Sequence, residues 1–383
     1  MVLTKVPAYK CCGCHACAAI CPQNCIRMMV DEEGFLHPVC DETACVNCNR
    51  CETVCPLLQE RKEGAQLVTE AYAVINQDEH VRMSSSSGGV FTALAIEVLR
   101  QGGVVFGVSF AEDFKSVQHI CINHSDDIEK LRGSKYMQSE IGNAYALAKE
   151  YLDNGRTVYF SGTPCQIGGL NAFLGKKYDN LYTQDIICHG VPSALLWKRY
   201  LGELESETGA KVSYAEFRCK ETGWKKYSLK IVFFDGVEHK SLFFEDPFLK
   251  AFLGDYCLRP SCYNCAFKSI RRQSDITLGD FWGIENELPE MDDDKGTSLV
   301  LIHSDKGRAL FKSVSDTMTK RSVFPEVVLK HNPSAVQSAK LDSTREKFFS
   351  VIQKRTIANA VKKIEHRNFL GKLIGKVKKV IVR

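Results

Sequence analysis

Lys10 to Cys25 read KCCGCHACAAICPQNC, which places six of the chain's 18 cysteines within sixteen residues. Thiols at this density form either a disulfide framework or a metal site. Length argues against the first, because a chain of 383 residues can bury a core without covalent staples. The start, MVLTKVPAYKCC, carries no apolar export region, so a reducing, cytoplasmic location is expected. No apolar run reaches the length of a membrane span; the best, Val90 to Val98, is far too short. A net charge of +4 with 25% charged residues describes an ordinary soluble protein and argues against a nucleic-acid partner.

Spacing decides what the metal is. Cys11, Cys14, Cys17 and Cys21 follow C-x2-C-x2-C-x3-C, with Pro22 next, and Cys45, Cys48, Cys51 and Cys55 repeat the pattern before Pro56. Each ligand of the second copy lies 34 residues after its counterpart, so the segment is an internal duplication. Zinc sites pair short hooks and need four ligands in all, whereas three cysteines on one turn plus a fourth before proline suit a cubane. The stretch resembles bacterial two-cluster ferredoxins, in which the fourth cysteine of each run serves the other cluster. Cys11, Cys14, Cys17 and Cys55 are then expected to hold one [4Fe–4S], and Cys45, Cys48, Cys51 and Cys21 another. Cys12, Cys25 and Cys40 fall outside the spacing and read as buried thiols. The organisation begins with a ferredoxin domain at 1–60 and a polar linker at 61–70.

From residue 71 to 208 strands and helices alternate, which predicts an α/β domain with an at least partly parallel sheet. Ser84 to Gly89 form a polar, glycine-containing loop before an apolar helical stripe at Val90, Leu94 and Val98, a place where free N–H groups favour an anion. TVYFSGTPCQIGGL and LYTQDIICHGVPS repeat the arrangement of strand, turn and helix. From 209 to 340 the pattern becomes antiparallel, with Asp235-Gly236 as a hairpin turn. Cys262 and Cys265 form one C-x2-C hook there, and a cluster needs two more ligands. Cys165 and Cys188, in turns that follow buried strands, are the candidates, with Cys257 in reserve. Cys165 at a helix start also reads as an activated nucleophile; a catalytic reading of the adjacent Cys188-His189 is set aside, because neighbouring residues rarely face one another productively. Cys121 and Cys219 read as core residues.

SSSGGVFTAL, GSKYMQS, SGTPCQIGGL, DIICHGVPS and RPSCYNCAFKSIRRQSDITLGDFWG, in this order, resemble the coenzyme F420 hydrogenase/dehydrogenase beta subunit family. The resemblance implies an FAD domain with its own [4Fe–4S] cluster, passing electrons between iron–sulfur centres and a two-electron substrate such as coenzyme F420. It implies Cys165, Cys188, Cys262 and Cys265 as ligands of a third cluster. Ser86, Gly88 and Gly89 would cradle FAD phosphates, Ser134, Lys135 and Tyr136 would line the flavin pocket, and Asp280 would contact the flavin or orient a ligand. Lys268, Arg271 and Arg272 read as a solvated basic face or as the seat of an acidic cofactor tail. Trp282 reads as core.

The expected architecture is therefore multidomain, α+β and α/β. A ferredoxin domain precedes an α/β flavin domain with an antiparallel subdomain, and a basic helical tail follows at 341–383. Residues 355–383 carry apolar positions at helical spacing among basic ones. They pack on their own domain, lie on an anionic membrane surface or dock on a partner. The function expected is an iron–sulfur flavoprotein oxidoreductase served by an electron-transfer partner protein or low-potential ferredoxin. The alternative is a relay subunit without chemistry of its own.

Overall fold

The computed structural model describes residues 5–59 and 70–366. Most of the expected linker, and the apolar tail positions from Phe369 to Ile381, lie outside the described residues.

The duplication read from cysteine spacing is also present in the backbone. Short helical turns at Ala16–Ala19 and Arg50–Thr53 follow left-handed residues His15 (φ 66°) and Asn49 (φ 59°). Gly13 (φ 64°) and Asn47 (φ 52°) precede them, again 34 residues apart. Glycine and asparagine are the residues that tolerate this conformation best, so two different sequences make the same ligand loop. Between the copies lies a hairpin of β1 (Ile26–Val30) and β2 (Leu36–Cys40), with Ile26 opposite Cys40.

The body is built on an eight-stranded mixed sheet. Its first strands are β3 (Glu70–Asn76), β4 (Val104–Phe110), β5 (Val117–Ile122), β6 (Val158–Ser161) and β7 (Leu181–Ile186). A separate three-stranded sheet follows: β8 (Val212–Cys219), β9 (Ser228–Phe233) and β10 (Glu238–Leu242). The chain then returns to the large sheet with β11 (Ile276–Asp280), β12 (Ser298–Ile302) and β13 (Met318–Val323), in the order β13-β3-β12-β11-β7-β6-β4-β5. Only β11, β7, β6 and β4 run parallel to their neighbours in the centre. β12, SLVLI, is buried at every position, as a strand covered on both faces must be.

Residue 209 marks where a small antiparallel sheet is inserted, because β11, β12 and β13 complete the first sheet. The hairpin expected at Asp235-Gly236 is formed, with Gly236 at φ 84°. A core of Trp197, Phe217, Leu229 and Phe248 joins the inserted sheet to the body. Ile357, Ala360, Val361 and Ile364 are buried in the same core, so the described part of the tail packs on its own domain.

The ferredoxin domain is anchored by buried polar groups. Arg259, 1% exposed, donates to Cys11 O (2.7 Å), Leu36 O (2.8 Å) and Gln138 Oε1 (2.9 Å). Gln138 in turn donates to Cys12 O and Gly13 O. Arg345 makes a two-pronged ion pair with Glu33. The helix Pro164–Leu174, capped by Thr163 and Gln166, carries two glycines that make room for neighbours. A Cβ on Gly169 would lie 2.9 Å from the Cys14 Cβ and from the Tyr145 hydroxyl. Alanine favours a helix by about 1 kcal/mol over glycine. Gly169→Ala is nevertheless expected to destabilise the protein by about 1–3 kcal/mol through overpacking. Chemical denaturation measures the loss, and the reduced-state EPR signal reports the displaced cysteine.

Candidate functional site

Three groups of cysteines lie around three cavities. The inner cavity of the ferredoxin domain is lined by Cys11, Cys14, Cys17 and Cys55, with Cys12 in its wall. The outer cavity is lined by Cys21, Cys45, Cys48 and Cys51, joined by Cys25. Burial, with Cys11 and Cys55 nearby, pushes the Cys17 thiol up to about 12. A buried thiolate is costly alone, so deprotonation there has to be coupled to binding a cation.

The third cavity brings Cys165, Cys188, Cys262 and Cys265 together, although they are up to a hundred residues apart in sequence. Topology explains the convergence. β6 and β7 are adjacent and parallel, so Cys165 and Cys188 emerge at the same edge of the sheet. The hook follows on the turn Pro260–Asn264, where Cys262 N donates to Arg259 O. Cys257 is fully buried in the apolar core instead, and the cavity lining does not include it. Cys12 completes the wall on the ferredoxin side, so it borders both the inner and the third cavity.

The donor set suits an iron–sulfur cluster. Burial pushes Cys188 up to about 12, and Cys262 is raised for the same reason. The hydrogen bond that Cys165 donates to Cys12, together with burial, raises Cys165 well above the usual thiol range. A thiol so raised weighs against an activated nucleophile at Cys165. His189 Nε2 lies 2.7 Å from Asp255, and its ring is edge-on to Phe252. Phe267 N and Thr163 Oγ1 approach the sulfurs of Cys265 and Cys165 at 3.4 and 3.1 Å. Such contacts tune cluster potentials.

The expectation of a basic face is corrected here. Lys268 is bound to the carbonyls of Cys188 and Ser334, and Arg272 is buried, donating to Ala335 O and lying 3.6 Å from Asp185. Both border the third cavity and bring positive charge to it, while Arg271 faces solvent.

The residues expected around a flavin meet at the same sheet edge. Ser86 Oγ accepts from Ser134 N at 2.6 Å. Gly89 (φ 86°) starts the helix Val90–Arg100, and Gly88 N donates to Ser298 Oγ. A Cβ on Gly88 would fall 2.3 Å from Val74 O, so this glycine seats the loop on β3. Tyr136 OH and Ser86 O lie 3.5 and 3.4 Å from the guanidinium of Arg218. Asp280, at the end of β11, pairs with Arg218 at 3.1 Å and accepts from Trp224 Nε1. Lys135 donates to Arg132 O, and desolvation lowers its ammonium to about 7.

Sequence reasoning missed the hub of this group. Arg218 is 4% exposed and lies over the Tyr227 and Trp282 rings, and its Nε has no hydrogen-bond partner among the described residues. Lys220, two residues on, donates to three backbone carbonyls. Arg218 and Lys220, alternating with Phe217 and Cys219 at the end of β8, were the available signal. Trp282 stacks on Trp224 at 4.9 Å and packs, half-buried, against a core that includes Trp224 and Phe281.

Residues 10–57 match a 4Fe-4S dicluster domain. Residues 71–145 and 155–321 match the N-terminal and C-terminal parts of the coenzyme F420 hydrogenase/dehydrogenase beta subunit. Fold and cysteine arrangement define an iron–sulfur protein of the oxidoreductase type. The chain belongs to the coenzyme F420 hydrogenase/dehydrogenase beta-subunit family, with a ferredoxin-like domain ahead of the family region. It is similar in structure to a chain of the xenon-derivatized F420-reducing [NiFe] hydrogenase complex from Methanosarcina barkeri. That likeness has 18% identity and a TM-score of 0.47, covering 70% of this chain and 90% of the other. Comparison with curated proteins returns no match. Among the described residues, no helix is long and apolar enough to cross a membrane.

Proposed function

We propose that this chain is an iron–sulfur flavoprotein that exchanges electrons between a one-electron protein partner and a two-electron small molecule. In this reading Cys11, Cys14, Cys17 and Cys55 hold an inner [4Fe–4S] cluster, and Cys21, Cys45, Cys48 and Cys51 an outer one. Cys165, Cys188, Cys262 and Cys265 hold a third. FAD sits among Ser86, Gly88, Gly89, Ser134, Lys135, Tyr136, Arg218 and Asp280. The observation that carries the proposal is the shared wall at Cys12, which makes the inner and third cavities neighbours.

FAD, when bound, supplies the conversion between one-electron and hydride chemistry. The protein's own groups do the rest. Cys48 is exposed, which turns the outer cavity toward a partner such as a low-potential ferredoxin. Lys268 and Arg272 offset the negative charge of a tetrathiolate site. Arg218 offers a buried positive charge, held in place by Asp280 and by the rings of Tyr227 and Trp282. Its unpartnered Nε is the kind of donor that an anionic or carbonyl group of a cofactor satisfies.

Arg218→Gln is therefore expected to be purified with less than about a tenth of the wild-type flavin, from loss of a charge-assisted contact of roughly 1.5–3 kcal/mol. The iron content should be unchanged. Wild-type flavin content in this variant would remove Arg218 from the site.

Coenzyme F420 is the proposed two-electron substrate, by family kinship, and the reaction is tested directly. Holoprotein mixed anaerobically with reduced coenzyme F420 and a viologen dye should reduce the dye. Bound flavin with no dye reduction would overturn the substrate and leave the oxidoreductase class. Intact clusters with no flavin would instead make the chain a relay subunit.

A further inference from the structure

The outer cavity has more sulfur than a cubane has iron corners. Cys21, Cys25, Cys45, Cys48 and Cys51 all line it. Cys25 Sγ lies 3.3 Å from Cys21 Sγ and 3.8 Å from Cys40 Sγ. The ligand atoms of Cys25, Cys40 and Cys45 fall within 4.8 Å of one another.

This crowding is built into the hairpin. Ile26 pairs with Cys40, and Asp41 N donates to Cys25 O at 2.8 Å, so Cys25 and Cys40 are held at the same end. Cys25 is 5% exposed, protected from solvent yet in van der Waals contact with a cluster ligand. No C-x2-C spacing includes it, and sequence reasoning set it aside as a packing thiol.

We propose that Cys25 is a reserve ligand of the outer cluster, able to take the place of Cys21, with Cys40 donating a hydrogen bond to its sulfur. The inference rests on the reading that the outer cavity holds a [4Fe–4S] cluster. In the exchange an iron–sulfur bond to Cys21 breaks as one to Cys25 forms. The proton released by Cys25 is taken up by Cys21, and no electron is gained or lost. The device would let the outermost cluster, the one nearest solvent, survive loss or oxidation of one ligand.

The test uses alanine variants of the full chain, reconstituted anaerobically, with iron, sulfide and the EPR spectrum of the reduced protein as readouts. Alanine is chosen because serine can itself ligate iron. C21A should keep nearly all its iron, with a shifted outer-cluster signal, while C21A/C25A should lose about four irons per chain. C25A alone should match wild type. C48A, which removes a ligand that Cys25 is not proposed to replace, should lose about four irons on its own. The inner-cluster signal, retained in every variant, reports a folded domain. If C21A loses as much iron as C48A, the reserve role is wrong. If C48A loses none, the outer cavity holds no cluster, and the underlying reading fails instead.

Discussion

Replacing Cys262 with alanine is expected to lower the iron content from about twelve to about eight per chain, with the ferredoxin signals intact. Cys262 sits on the turn Pro260–Asn264, in a cavity shared with Cys165, Cys188 and Cys265. Burial keeps these thiols protonated unless a cation replaces the proton, and the neighbouring Lys268 and Arg272 favour the thiolate state once it forms. Of the proposed ligands only Cys165, Cys188 and Cys265 would remain, with Cys12 as a further thiol in the cavity wall, and three ligands hold a cubane poorly. Cys257→Ala is the internal control. Its sulfur is packed in the apolar core, so the variant should lose about 1–2 kcal/mol of stability and no iron. Iron loss in Cys257→Ala with retention in Cys262→Ala would mean that the ligand set is misassigned.

Arg259→Leu is expected to loosen the ferredoxin domain and to destabilise the protein by about 3–5 kcal/mol, because a buried charged group loses several partners at once. The guanidinium joins Cys11 O and Leu36 O on one side to Gln138 on the other. Leucine fills part of the volume but leaves both carbonyls without a donor. Arg259→Lys should recover only part of the loss, since an ammonium cannot span three acceptors in a fork. Denaturant titration gives the stability change, and limited proteolysis of the ferredoxin domain separates undocking from global unfolding. A variant as stable and as protected as wild type would show that docking rests on other contacts.

Much of the first domain was legible because a cluster imposes its spacing on the chain. Cysteines at intervals of three and four, repeated 34 residues later, already implied two ligand loops, and the paired left-handed residues Gly13/Asn47 and His15/Asn49 are the same information in backbone form. The third cavity was half legible. Strand-end turns marked Cys165 and Cys188, but nothing local brings Cys12 to their side, since its place depends on how the two domains pack. Arg259 was illegible for the same reason. The return of β11 to β13 to the first sheet was missed because strand order is set by long-range pairing. Arg218 is the exception, because basic residues alternating with apolar ones on a strand were there to be noticed.

In the proposed reading, three clusters and one flavin form a continuous redox assembly within this chain. Quantifying iron, acid-labile sulfide and flavin on the full-length protein, reconstituted and desalted anaerobically, tests it most directly. The account predicts about twelve irons, about twelve sulfides and about one FAD per chain. About eight irons with no flavin would contradict it, leaving a two-cluster ferredoxin attached to a domain with no redox centre of its own.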